Sequence, residues 1–215
     1  MSYSDFSLSR VKRDFGLTTV ENGRFLPEIQ PIEPSFYLKE ALSEGLPLAM
    51  TLPTPLRGIA TGSEKARSEL IISPILVEVR KVLERKISFF SGEDFTVAPE
   101  LGLSGVCDFL ISRSPEQVFI KAPAVIIIEA KKGDLKPGLG QCAAEMVAAQ
   151  KFNQENNIPI TTIYGSVTSV TAWRFLKLEG QILSIELQDY PVPPVGILLG
   201  MLVWMIREGE SKSYG

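Results

Sequence analysis

Asp108, Glu129 and Lys131 stand in runs that are otherwise apolar. Asp108 lies inside Val106-Cys107-Asp108-Phe109-Leu110-Ile111, and Glu129 and Lys131 close Val125-Ile126-Ile127-Ile128-Glu129-Ala130-Lys131. A carboxylate inside an apolar strand is costly unless it is paired or bound to a cation. Glu129 and Lys131 are two positions apart, so their side chains leave the same face of a strand. If the two runs pair as neighbouring strands, Asp108 and Glu129 converge with Lys131 beside them. Two carboxylates and an ammonium at the rim of an apolar sheet suggest a divalent metal site. A solvated strand end carrying an ordinary ion pair is the competing reading of the same residues.

Composition narrows the chemistry. The chain has 215 residues, no histidine, a formal net charge of −3 and a pI near 5.2. Without histidine, Ser-His-Asp and Cys-His nucleophiles and the common zinc sites are excluded. Carboxylate and lysine chemistry remains, which favours a hard, oxygen-seeking cation such as magnesium. The acidic balance argues against binding nucleic acid by bulk charge alone. Cys107 and Cys142 are embedded in apolar segments and read as reduced packing residues of a cytoplasmic protein. The first residues show no basic-then-apolar signal pattern, and no apolar run has the length of a membrane span.

The elements that must hold these residues follow from periodicity and breakers. Val125–Ile128 is unbroken β-branched sequence, as in a central strand covered on both faces. Upstream, a Thr61–Glu64 capping box opens a helix whose apolar stripe runs from Ile71 to Leu83, with Pro74 kinking or restarting it. Residues 94–99, around Phe95 and Val97, read as a strand, and residues 118–120 as a short additional one. Pro137 sits at a first helical position, and the helix it opens runs to about Asn153 with an alanine-rich inner face. Ile160–Tyr164 is a further strand, parallel to the one ending at Glu129 because a helix joins them. Thr171–Leu178 and Gln181–Leu187 form a hairpin about Glu179-Gly180, and Val195–Ile206 is a helix apolar all round, buried or in a dimer contact. Short helices are expected over Ser7–Phe15 and Ser35–Glu44. Residues 1–60, proline-rich from Pro27 to Pro55, read as an arm packing on the domain formed by residues 61–215.

Asp108 followed by Glu129-Ala130-Lys131 at the end of the next strand resembles the PD-(D/E)XK nuclease superfamily, the restriction-endonuclease-like fold. The likeness spans roughly residues 64–167 and extends to Glu69 on the upstream helix and Gln141 on the following one. Cys107 stands where the motif's proline would precede Asp108, and Glu145 stands where RecB-like members carry a tyrosine. The resemblance implies an α/β fold with an αβββαβ core, a mixed central sheet, and an additional C-terminal hairpin and helix. It further implies a metal-dependent, DNA endonuclease-like phosphodiester hydrolase, with DNA expected rather than RNA. Mg2+ or Mn2+ would be held by Asp108, Glu129 and the Ala130 carbonyl. Glu69 is either a further ligand carried over from the family or a solvated helix carboxylate. Lys131 would position or deprotonate the attacking water, its proton affinity lowered by Lys132 and partial burial, and Gln141 would orient that water or a phosphate oxygen. Glu145, one turn beyond Gln141 on the same helix face, would support it from behind.

Two other functions fit the same residues. One is a catalytically silent interaction protein on a nuclease-like scaffold, favoured by the acidic pI and the lack of a basic arm. The other is a phosphohydrolase of small nucleotides, which needs no groove for DNA. The apolar terminal helix leaves a homodimer open.

Overall fold

The structure, a computed structural model, describes residues 1–22, 24–45, 64–131, 133–169 and 171–211. Helix α1 (Leu8–Phe15) is capped by Ser7, whose hydroxyl accepts the Arg10 amide at 3.3 Å. Such a cap contributes about 1 kcal/mol. Gly16 ends α1 in the left-handed region at φ 65°, which glycine adopts without steric cost. Strand β1 (Thr18–Asn22) and helix α2 (Phe36–Gly45) follow. The upstream helix is composite: α3 (Glu64–Arg67), a π turn over Ser68–Ile72, then α4 (Ser73–Val82). Pro74 lacks a donor and sits at the restart, so the wide turn falls where the expected kink does. Thr61, the first residue of the expected capping box, lies outside the described residues.

Then come β2 (Ser88–Asp94), β3 (Val106–Ser112), β4 (Ala124–Ala130), α5 (Lys136–Glu155) and β5 (Thr162–Thr168). The hairpin β6 (Ala172–Glu179) and β7 (Ile182–Glu186), the short β8 (Tyr190–Pro191) and α6 (Val195–Ser211) complete the order. The described residues form an eight-stranded mixed sheet, ordered β1-β7-β6-β5-β4-β3-β2, with β8 on β6. β4 and β5 are parallel, as their helical crossover requires, and β1 lies parallel to β7; the other pairings are antiparallel.

Two apolar layers cover the sheet. On one face α4 and α6 pack over Phe109, Ile111, Ile126, Ile128, Tyr164 and Phe175. On the other, α1 and α5 pack over Leu110, Ile127, Ile163 and Leu176. Every residue of β4 is buried. Among the described residues no helix is long and apolar enough to cross a membrane.

Several expectations need correction. The strand before β3 is Ser88–Asp94, not residues 94–99. It is an edge strand with exposed residues from Ser91 on, so it lacks the alternation that marks a half-buried strand. Beyond it, Asp94 accepts from the Thr96 amide and hydroxyl, each at 3.2 Å, and a 3-10 turn over Pro99–Leu101 follows. Residues 118–120 form no strand, 118 and 119 lying in a bend with Val118 and Phe119 exposed. Within the expected N-terminal arm, β1 pairs with β7 at the sheet edge. Buried Glu186 also accepts the amides of Phe25 and Leu26, each at 3.1 Å.

Candidate active site

The site forms where β4 ends beside α5. Alternation along β4 sets it up: Ile127 points into the layer beneath α5, so Glu129 and Lys131 leave the strand on that side. The Lys131 amide donates to Thr168 O at 2.8 Å, which carries the β4–β5 ladder one residue past the strand and fixes Lys131 at the sheet rim. That rim is the carboxyl end of two parallel strands, the position where open α/β sheets bind ligands.

The β3–β4 ladder has Phe109 opposite Ile128 as its last pair. Past it, Asp108 Oδ2 accepts the Ala130 amide at 2.8 Å, so the carboxylate takes the place of a ladder carbonyl. Across the rim, Lys131 Nζ donates to Glu129 Oε1 at 2.5 Å and to Gln141 Oε1 at 3.1 Å. Gln141 Nε2 donates to Glu145 Oε1 at 3.1 Å. Gln141 and Glu145 are four residues apart on α5, hence on one face, and that face looks onto the end of β4. Glu129 is 1% and Glu145 0% exposed, whereas the Lys131 side chain keeps 24% of its surface open. The cluster is therefore buried on its carboxylate side and reachable from the ammonium side.

Burial pushes the Glu145 carboxyl well above the usual carboxylate range, and the charges of Glu129 and Asp108 push it further. The Gln141 hydrogen bond and Lys131 oppose the shift without cancelling it. Among the described residues Glu145 Oε2 is buried and finds no hydrogen-bond partner. Burial, with Glu145 and Glu129 nearby, also raises the thiols of Cys107 and Cys142, so both remain protonated packing groups.

The structure thus gathers Asp108, Glu129, Ala130, Lys131, Gln141 and Glu145, with Gln141 in the second turn of α5. Glu69 is not among them. It stands on the π turn with its side chain 61% exposed, 3.7 Å from Lys65, and lines a surface groove with Tyr37 and Ser73. Lys132 lies outside the described residues. Reasoning from sequence missed the N-terminus. The 3-10 turn Tyr3–Asp5 brings Tyr3, 1% exposed, beside Cys107 and Glu145, and its hydroxyl donates to Phe95 O. Gly140 makes this possible, because a Cβ there would collide with the backbone of Phe6, Ser7 and Leu8. A glycine one residue before Gln141, inside a helix, was the available signal.

No family model, curated protein or solved structure matches this chain. The chemistry of the site therefore rests on its own geometry.

A hard cation is the group whose fit to these residues matters. Asp108, Glu129 and the Ala130 carbonyl would offer it only oxygen atoms, with Asp108 Oδ2 accepting the Ala130 amide and Glu129 Oε1 held by Lys131. Among the described residues no group of three or more His, Cys, Asp or Glu side chains is placed to hold a metal ion. Magnesium does not require one, since one or two carboxylates with waters suffice.

Proposed function

We propose that this chain is a metal-dependent phosphodiester hydrolase of the restriction-endonuclease-like type, acting on DNA. The observation that carries the reading is the linked set Glu129–Lys131–Gln141–Glu145, with Asp108 at the adjoining ladder end, on the carboxyl rim of β4. The order α4-β2-β3-β4-α5-β5, in which β4 and β5 are parallel, supports an αβββαβ core.

In this reading Asp108, Glu129 and the Ala130 carbonyl would hold Mg2+ or Mn2+. A divalent cation there supplies Lewis acidity, acidifying water and offsetting charge on the phosphoryl oxygens. Lys131 Nζ, steadied by Glu129 Oε1 and Gln141 Oε1, would donate to the attacking water or to a scissile phosphate oxygen. Its charge then counters the negative charge that grows in the transition state. The buried side of the cluster keeps bulk water from the carboxylates, which strengthens each of these interactions.

The overall charge of −3 favours a second reading, a catalytically silent scaffold in which Glu129 and Lys131 simply neutralise one another. Cleavage of supercoiled plasmid and of single-stranded DNA in Mg2+ and Mn2+, by wild type and Lys131→Ala, separates the two. Wild type should cleave, and the variant should lose about a hundredfold or more. Equal behaviour of the two proteins would remove the catalytic reading and leave the scaffold.

A further inference from the structure

Positions 138, 141 and 145 fall at i, i+3 and i+7 along α5, one stripe of the helix, and each meets Lys131 or the group that holds it. At Gly138 a Cβ would lie 3.0 Å from Lys131 Cγ, 3.2 Å from Lys131 Cε and 2.6 Å from Val167 Cγ1. The aliphatic stem of Lys131 therefore lies in a slot that exists because residue 138 has no side chain. At the far end of the stem, the ammonium has donors only, so it needs the carbonyl oxygen of Gln141 and not its NH2. An amide can turn over and exchange the two. What sets it here is Glu145, whose Oε1 accepts from Gln141 Nε2 at 3.1 Å and so faces the oxygen toward Lys131 Nζ. Glu145 has no exposed surface, so water does not compete for that bond.

We infer that α5 is the positioning element of Lys131, with Gly138 opening the slot for its stem and Glu145 locking the Gln141 amide in the one orientation that can receive its ammonium. The inference rests on the reading that Lys131 serves the site; Gly138 and Glu145 act through Lys131 and Gln141. Because a neutral acid and an amide both offer a carbonyl oxygen, Glu145→Gln preserves the acceptor, whereas Glu145→Leu removes it and frees the Gln141 amide to turn.

The test combines kinetics with a readout that needs no activity. In Mn2+-supported DNA cleavage, Glu145→Leu should lower kcat about tenfold or more with KM unchanged, the signature of lost positioning, and Glu145→Gln should recover most of that loss. Gly138→Ala combined with Val167→Ala, compared with Val167→Ala alone so that Val167 no longer obstructs the new methyl group, should lower kcat about tenfold. In 15N NMR spectra the Gln141 side-chain amide should exchange its protons slowly in wild type and Glu145→Gln, and fast in Glu145→Leu. If Glu145→Gln is as impaired as Glu145→Leu, if neither Glu145 variant changes kcat, or if the double variant matches Val167→Ala alone, the inference is wrong. If no protein cleaves DNA, the proposed function fails, and the amide signal alone still decides the positioning: a fast-exchanging Gln141 amide in wild type overturns it.

Discussion

Replacing Glu145 by glutamine should stabilise the protein, and the gain should grow with pH. The carboxyl is fully buried and its proton affinity is raised, first by burial and then by Glu129 and Asp108. In the unfolded chain the same group titrates near pH ~4.3. Above that value the unfolded chain releases the proton while the folded chain keeps it, so a rise in pH favours unfolding. For one proton the slope is about 1.4 kcal/mol per pH unit, continuing upward until the raised folded value is passed. Glutamine keeps the shape and the acceptor for Gln141 Nε2 but carries no proton to lose. The stability difference between Glu145→Gln and wild type should be small at pH 4 and should then grow with pH, by at most about 1.4 kcal/mol per unit, until the raised folded value is passed. Urea unfolding at pH 4, 5, 6 and 7, with m-values compared at each pH, measures it directly. A difference that stays flat across the series would show that Glu145 does not hold its proton on folding, and the electrostatic picture of the cluster would fall.

Two further outcomes follow from groups outside the cluster. Glu69→Ala should change stability by less than about 0.5 kcal/mol and leave the Mn2+ response untouched, because an exposed pair 3.7 Å from Lys65 contributes little; a lost Mn2+ response in a titration would return Glu69 to the site. Glu186→Ala should cost about 2–4 kcal/mol in urea unfolding, since it strands the amides of Phe25 and Leu26 that Glu186 now satisfies. A loss under about 1 kcal/mol would mean that the N-terminal segment is not anchored there.

The parts of the fold that sequence reasoning reaches are those where one physical rule dominates. The Val125–Ile128 run can only be a strand covered on both faces, and a helical crossover then requires β5 to be parallel. The spacing of Glu129 and Lys131, and of Gln141 and Glu145, converts directly into shared faces of a strand and a helix. What escapes is set by distant pairing. β2 turns polar along its outer half because it is an edge, and β1 becomes a strand only because β7 offers a parallel partner. Tyr3 reaches the site because Gly140 lets the N-terminal backbone lie on α5, a contact across more than half of the chain that no local pattern announces. Glu69 shows where sequence left two readings, a solvated helix carboxylate or a metal ligand. Its place on the upstream helix was read correctly, but the π turn and the Lys65 pair leave it at the surface.

Mn2+ binding followed by electron paramagnetic resonance, in wild type and in Asp108→Ala, puts the assignment of this rim to a test that does not depend on finding a substrate. The account predicts about one bound ion per chain in wild type, held by one or two carboxylates, and none in the variant at the same concentration. Equal binding by the two proteins, or none by either, would contradict it.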